Sequence, residues 1–223
     1  MKRTLIISII VATVAFGSNA QERSGLLAKG EQSVGVYTGL DYSILPVTLK
    51  YSLGYNLFNM KQPVNSGFEM TVPVNSFDMN DIRLRLTTEL TLLRKKNFEI
   101  RGGFSPVFVN VKMETETMSS LGMDFHAFTG LTNDRWNTGI EVFYNQMFST
   151  HIVHTDKYKD NIFEAEDGWY KNTAANIRIG FLLNRRIKKF DINFRAGYSG
   201  TGEFNNYLFV PNMYSTLGLI FRF

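Results

Sequence analysis

Two pairs of residues have the types and spacing that catalysis or metal binding requires. Asp124 and His126 are two positions apart, so in an extended chain their side chains lie on one face, where a carboxylate can orient an imidazole as a general base. His154 and Asp156 have the same spacing, and imidazole with carboxylate suits a divalent metal ion. Neither pair comes with the remaining parts of a site, such as a nucleophile motif or a third ligand at a fixed spacing.

Each pair also has a simpler interpretation. Asp124 and His126 fit a structural hydrogen bond between polar side chains, and His154 begins an acidic stretch that fits a hydrated loop. We therefore expect no enzyme activity, no cofactor and no metal site, and we keep Asp124 and His126 as the one catalytic candidate. The stretch 151–169 is a candidate contact for an extracellular ligand, because it is the longest interval between strand patterns.

The elements that must position these residues are strands. Apolar residues occupy every second position over long intervals, which is typical of strands, whereas a helix would repeat at three and four. The clearest alternation places apolar residues on one parity, with polar residues or glycine between them: Val47, Leu49, Tyr51, Leu53, Tyr55 and Leu57. Similar alternation recurs from Val34 to Phe223 and predicts about ten strands, with about eight as the alternative if the first two are irregular.

The breaks and connections in this pattern predict how the strands are joined. The apolar parity shifts by one residue at Ser105–Pro106, and a proline at such a shift predicts a β-bulge. Alternating short and long connections predict an antiparallel up-and-down barrel with both termini at the end of the short turns. The short links fall at 58–61, 94–97, 133–135 and 184–189, and the longer ones at 113–120, 151–169 and 200–206.

The polar face of the predicted strands has the composition of a closed interior. Glycine recurs on this face, and its basic and acidic residues nearly balance, as a confined space requires. These charged residues form a predicted lumen charge network: Lys50, Glu69, Arg83, Arg85, Glu89, Glu99, Arg101, Asp124, Glu141, Arg178, Asp191, Arg195 and Arg222. Aromatic residues gather at both ends of the apolar face, as in the girdles of a barrel in lipid. The pattern therefore favours an all-β transmembrane barrel over a soluble one.

The beginning of the chain has the pattern of a secretory signal peptide. Lys2 and Arg3 precede an apolar run over residues 4–16, and small residues follow, which predicts cleavage after Ala20 and a single domain over residues 21–223.

The composition excludes other classes of protein. Lys and Arg number 24 against 20 Asp and Glu, and this net charge of +4 lacks the basic excess of a nucleic-acid-binding protein. The chain has no Cys, which excludes disulfides and thiolate metal sites.

The last predicted strand carries the most specific pattern in the chain. Residues 214–223 alternate apolar side chains and end on the aromatic Phe223. This strand resembles the C-terminal strand of small outer-membrane β-barrel proteins of Gram-negative bacteria, and with the leader and the alternation the resemblance in pattern covers residues 21–223. The resemblance implies location in the cell outer membrane, contact with outer-membrane lipid, and recognition of the last strand by the barrel-assembly machinery.

Three functions fit such a barrel. We favour a structural or surface-binding protein with a charge-filled lumen that acts through its extracellular loops, because barrels of about eight strands are filled by side chains and aqueous channels have about 16. A narrow, porin-like channel is the first alternative, supported by the inward glycines. A hydrolase or acyltransferase embedded in the barrel, using Asp124 and His126, is the second alternative.

Overall fold

The computed structural model describes residues 26–40, 44–56, 64–73, 81–161, 166–201 and 213–223. The predicted leader and its cleavage point after Ala20 lie outside these ranges. So do the predicted short turn at 58–61 and residues 202–206 of the predicted loop.

The alternating segments form ten strands. They are β1 (Gln32–Leu40), β2 (Ile44–Tyr55), β3 (Val64–Pro73), β4 (Asp81–Lys95), β5 (Phe98–Lys112), β6 (Glu116–Thr132), β7 (Trp136–His154), β8 (Gly168–Ile187), β9 (Phe190–Thr201) and β10 (Met213–Arg222). One short helix, α1 (Asp156–Asn161), lies between β7 and β8. Within the described ranges, no helix has the length and apolarity needed to cross a membrane.

The strands close into one barrel in which each strand is antiparallel to its neighbours. They follow one another in chain order, and β1 closes the ring by pairing with β10. Gln32 and Phe223 extend this seam with two backbone hydrogen bonds of 3.0 Å. The predicted all-β, antiparallel, ten-stranded barrel is therefore confirmed, and the eight-stranded alternative is wrong.

The two ends of the barrel differ. The turn end carries Gln32, Phe223 and the tight connections β4–β5, β6–β7 and β8–β9, and the opposite loop end carries the connections β5–β6 and β7–β8. Lys96 and Lys188 have φ angles of 52° and 58°, the left-handed conformation that two-residue hairpin turns favour. Because these turns are tight, the extra length of β7 and β8, which have 19 and 20 residues, projects at the loop end.

Two predicted loops are shorter in the structure than the sequence pattern indicates. β6 takes up much of the predicted loop 113–120, and β7 and β8 take up both ends of the predicted loop 151–169. The sheet continues here through hydroxyl pairs, Ser120 with Thr150 at 2.8 Å and Thr150 with Thr173 at 2.6 Å. Cross-strand pairs of this kind stabilise a sheet without the apolar alternation on which the strand prediction depends.

The barrel is apolar outside and polar inside. On the outer face, Leu86 is 58% exposed and Leu217 is 56% exposed, whereas Glu99 and Asp191 on the inner face are 0% exposed. Among the buried side chains of the described ranges, polar and charged residues outnumber apolar ones. This is the reverse of a soluble protein, whose core is mostly apolar.

The bulge predicted at Ser105–Pro106 is wrong. β5 keeps an unbroken register with β6 along its whole length. The apolar parity shifts because Val107 faces the lumen, where it is 2% exposed. The irregularity of the β4–β5 pair lies on β4 instead, between Thr91 and Leu93, where Leu92 and Leu93 are both exposed.

Candidate functional site

A continuous chain of ion pairs crosses the middle of the lumen. We call it the central cluster, and it consists of Lys50, Glu69, Arg83, Arg85 and Asp124. Glu69 lies 2.8 Å from both Lys50 and Arg85, so this carboxylate of β3 links the strands on either side of it. Arg85 also lies 2.8 Å from Asp124, which Arg83 contacts at 3.2 Å. The cluster therefore connects β2, β3, β4 and β6 across the lumen.

A second group of charges, the turn-end cluster, lies inside the barrel near the turn end of the seam between β1 and β10. Its centre is Asp191, which accepts hydrogen bonds from Arg186 Nε at 3.1 Å and Arg222 Nε at 2.8 Å. Arg222 also lies 3.3 Å from Glu31, directly before β1. These contacts join β8, β9 and β10 to the segment that leads into β1.

Two more carboxylates of the interior, Glu89 and Glu141, are also paired with arginines. Glu89 lies 2.9 Å from Arg101. Glu141 lies 3.6 Å from Arg195 and accepts a hydrogen bond of 3.2 Å from the Tyr214 hydroxyl. Because these carboxylates and guanidiniums come from different strands, each pair ties two walls of the barrel together.

Two residues of the predicted network have other surroundings. Glu99 pairs with Arg94 at 2.6 Å near the turn end, and it also accepts a hydrogen bond of 2.9 Å from Thr91. The Arg178 guanidinium lies 5.5 Å from the Phe143 ring and 5.4 Å from the Tyr214 ring. Every member of the predicted lumen network thus lies on the inner face of the barrel.

Aromatic rings cover several of the inward glycines, which explains why glycine occurs at those positions. Gly130 and Gly139 face each other on β6 and β7, and a Cβ on either would lie 2.7 Å or 2.9 Å from the Phe128 ring. The Arg101 guanidinium stacks 4.0 Å from the centre of the same ring. At Gly180, a Cβ would overlap the Tyr214 hydroxyl. The space that glycine leaves is therefore occupied by rings lying against the wall.

The residues before β1 fill the turn end of the lumen. Leu26 and Leu27 are 6% and 3% exposed. Gly30 donates a backbone hydrogen bond of 2.8 Å to Gly54, and Gly54 donates one of 2.9 Å to Glu31. Gly54 permits this approach because a Cβ there would lie 2.9 Å from the Leu27 Cβ. The barrel is thus plugged at this end by its own N-terminal segment.

Two cavities in the described part of the lumen are small. A cavity of about 90 Å³ lies beside Leu27 and Tyr37, and one of about 60 Å³ lies beside His126 and Phe143. Cavities of this size hold a few water molecules, whereas small-molecule sites measure about 300–1,000 Å³. Around these two cavities the lumen is therefore largely filled by side chains.

The candidate catalytic pair does not form a pair in the described part of the structure. Asp124 is held by Arg83, Arg85 and the amide of Asn145. His126 faces a different carboxylate, with Nε2 3.7 Å from Glu89 Oε2. Its ring also stacks on Phe143 at 5.8 Å.

At the loop end, His154 is placed between two carboxylates. Its Nδ1 lies 3.1 Å from Asp167 and its Nε2 lies 3.3 Å from Glu116. Asp156, the residue considered with His154 as a candidate ligand pair, begins α1. Within the described ranges, no group of three or more His, Asp or Glu side chains could hold a metal ion.

Asp167 is also held by donors from two elements. Lys159 donates at 2.5 Å, and the backbone N–H of His154 donates at 2.8 Å. These hydrogen bonds lower the pKa of Asp167 to about 2. They fix the start of β8 against the end of β7 and against α1.

Several residues of the lumen lie outside the network predicted from the sequence. Arg94 and Arg186 fall within the predicted short links 94–97 and 184–189, outside the predicted lumen network, but the structure turns both inward. Arg186 continues the alternation that places Arg178 on the inner face of β8, so this alternation was a usable signal. In β4 the irregularity after Thr91 shifts the alternation by one position, so the same signal fails for Arg94. Leu26, Leu27 and Glu31 precede the first strand pattern, so alternation gave no signal for them.

A scan against models of known protein families gives no match for this chain. A search of curated proteins gives no match either.

Proposed function

We propose that this chain is an outer-membrane β-barrel whose lumen is plugged by its own side chains and which serves a structural or surface-binding role at its loop end. The observation that carries the proposal is the apolar outer face around a charged interior. Exposing this apolar face to water would be energetically costly, whereas the acyl chains of a lipid bilayer solvate it. A closed barrel also satisfies its backbone hydrogen bonds internally, as a lipid environment demands.

The outer aromatic residues support a placement across a bilayer. Phe98 and Phe190, 40% and 46% exposed, lie near the turn end, and Phe148 and Tyr198, 47% and 57% exposed, lie toward the loop end. Two such belts are typical of the interfaces on either side of the hydrocarbon.

The loop end supports a surface-binding role. A tilted strand crosses the hydrocarbon with about 9–11 residues. β7 and β8 have 19 and 20 residues, so this hairpin extends well beyond the bilayer. The extension exposes apolar side chains, with Trp169 64% and Val153 41% exposed, which suit contact with a partner.

A narrow channel is the second candidate function, and the lumen cavities are the observation that favours it. Both cavities are lined by Lys50, Glu89, Arg101 and Arg195. A rearrangement of these side chains would join the two cavities. The N-terminal segment would still close the turn end, which is why we favour the plugged barrel.

Conductance in a planar bilayer tests the proposal. We expect the refolded protein to be strand-rich, to migrate differently on gels with and without heating, and to insert without conducting. An Arg83→Gln/Arg85→Gln variant should remain silent or open only briefly, because the turn end stays closed. A Lys95→Gln/Lys96→Gln variant is the matched control, since both lysines are exposed outside the lumen.

Three results would contradict the proposal. Steady wild-type openings that change in the Arg83→Gln/Arg85→Gln variant, but not in the control, would establish a channel with the central cluster as its selectivity element. Helical circular dichroism would overturn the barrel. Recovery of the mature protein in the soluble periplasm would overturn the membrane location.

A further inference from the structure

The turn end carries a concentration of exposed positive charge. Its basic side chains come from three neighbouring hairpins: Lys95, Lys96, Arg135, Arg185, Lys188 and Lys189. Asp134 is the single exposed carboxylate among the described residues of these hairpins. Two further basic residues of these hairpins, Arg94 and Arg186, are turned into the lumen instead, where they pair with Glu99 and Asp191.

The loop end has the opposite balance among the described residues. Its acidic residues outnumber the exposed lysines there, which are Lys112, Lys159 and Lys171. The acidic residues are Glu114, Glu116, Asp156, Glu166 and Asp167. The positive charge is therefore a property of one end of the barrel rather than of its surface in general.

The positive residues lie beside aromatic side chains on the outer face of the turn end. The Arg185 guanidinium lies 4.8 Å from the centre of the Trp136 ring. Lys95 is directly opposite Phe98 in the register of β4 and β5. A guanidinium stacked on an aromatic face keeps its N–H edge available, and that edge matches the oxygens of a phosphate.

We propose that the turn end binds the phosphate groups of anionic phospholipids in the leaflet that surrounds it, with Arg185 on Trp136 as a central contact. The inference rests on the proposed function, because it requires the barrel to span a bilayer. Contact between the lipid acyl chains and the Phe98 and Phe190 rings would hold these chains next to the basic residues, on the side toward the middle of the bilayer. The charge complementarity fits an anionic headgroup and not a zwitterionic one.

The two Trp residues of the chain provide the test, since one lies at each end. A Trp169→Phe variant leaves Trp136 as the single reporter, and a Trp136→Phe variant leaves Trp169. Each variant is reconstituted in vesicles that contain brominated phosphatidylglycerol or brominated phosphatidylcholine. Tryptophan quenching by each lipid then gives the relative affinity for the anionic headgroup at that end.

We expect Trp136 to report a preference for phosphatidylglycerol of about fivefold, the scale of one basic side chain at an anionic surface. Adding Arg185→Gln to the Trp169→Phe background should bring the ratio close to one. Adding Lys171→Gln, at the loop end, should leave it unchanged. Trp169, on the projecting part of β8, should report no preference for either lipid.

The outcomes separate this inference from the proposed function. Equal quenching of Trp136 by both lipids would overturn the headgroup preference and leave the membrane barrel intact. A preference that survives Arg185→Gln would overturn the assignment of that contact. No quenching by either lipid would place Trp136 outside the bilayer and overturn both proposals. Heat-dependent gel migration verifies that each variant is folded before quenching is measured.

Discussion

At the residue scale, Asp124 is a carboxylate that two arginines of the central cluster share. It is 4% exposed and receives contacts from Arg83, Arg85 and Asn145. Attraction between buried charges offsets the cost of removing them from water only while the partners remain in place. The loss of this one charge therefore affects several strands at once.

Replacing the charge tests this dependence. Asp124→Asn should lower the free energy of unfolding by about 3–5 kcal/mol, because two guanidiniums lose a shared counter-charge in a confined space. Urea unfolding of the reconstituted protein measures the change. The matched control is Asp134→Asn in an exposed turn, for which we expect a change of about 0.5 kcal/mol or less. Equal effects of the two substitutions would show that Asp124 is solvated by water.

Asp167 makes the loop end sensitive to acid only at very low pH. Its pKa of about 2 in the folded protein is below the ordinary value of about 3.9. Its contribution to stability is therefore present above pH of about 4 and is lost as the pH falls through about 2. Lys159→Gln should move the titration midpoint of Asp167 upward, as measured by carboxyl ¹³C shifts. An unchanged midpoint would contradict the role of Lys159.

At the element scale, the strands are joined by close contacts between glycines and aromatic rings. Gly180 on β8 has the Tyr214 ring of β10 against it, and Tyr214 in turn donates to Glu141 on β7. The ring therefore reaches across the lumen between strands that are not neighbours in the sheet. Its position depends on the absence of a side chain at Gly180.

A methyl group at this position should displace the ring. Gly180→Ala would bring a Cβ within 2.6 Å of the Ala196 carbonyl oxygen and into overlap with the Tyr214 hydroxyl, and we expect a loss of about 1–3 kcal/mol. Gly168→Ala, also on β8, is the control because no atom lies within 4 Å of a Cβ there. Thermal unfolding of both variants in detergent measures the difference. A loss at Gly168 as large as that at Gly180 would contradict this explanation.

The strands themselves could be predicted because alternation along β2 or β10 is a local property of the sequence. Their ends could not be predicted as well. The loop-end parts of β7 and β8 pair through Thr150 and Thr173, which have no apolar period. In β5 the alternation predicts a bulge that does not form, because the apolar Val107 faces the polar lumen. Its environment depends on the opposite wall, which a local pattern does not describe.

At the scale of the whole molecule, the parity of charged residues assigns them to one face of their strands but does not identify their partners. Glu69 meets Lys50 and Arg85 because β2, β3 and β4 are neighbours with fixed register. Contacts such as Arg83 with Asp124, from β4 and β6, depend on how the closed sheet curves. The curvature is set by all ten strands together, so no single segment of sequence contains it.

The seam between β1 and β10 also has a consequence for the order of assembly. Every other neighbouring pair of strands is adjacent in the chain, whereas this pair joins segments about as far apart as the sequence allows. Its strands are short, with nine and ten residues. Bringing distant segments together costs more chain entropy than forming a local hairpin. We therefore expect the sheet to grow hairpin by hairpin and to close last at this seam. The ion pairs of Arg222 with Asp191 and Glu31 would then stabilise the closed barrel.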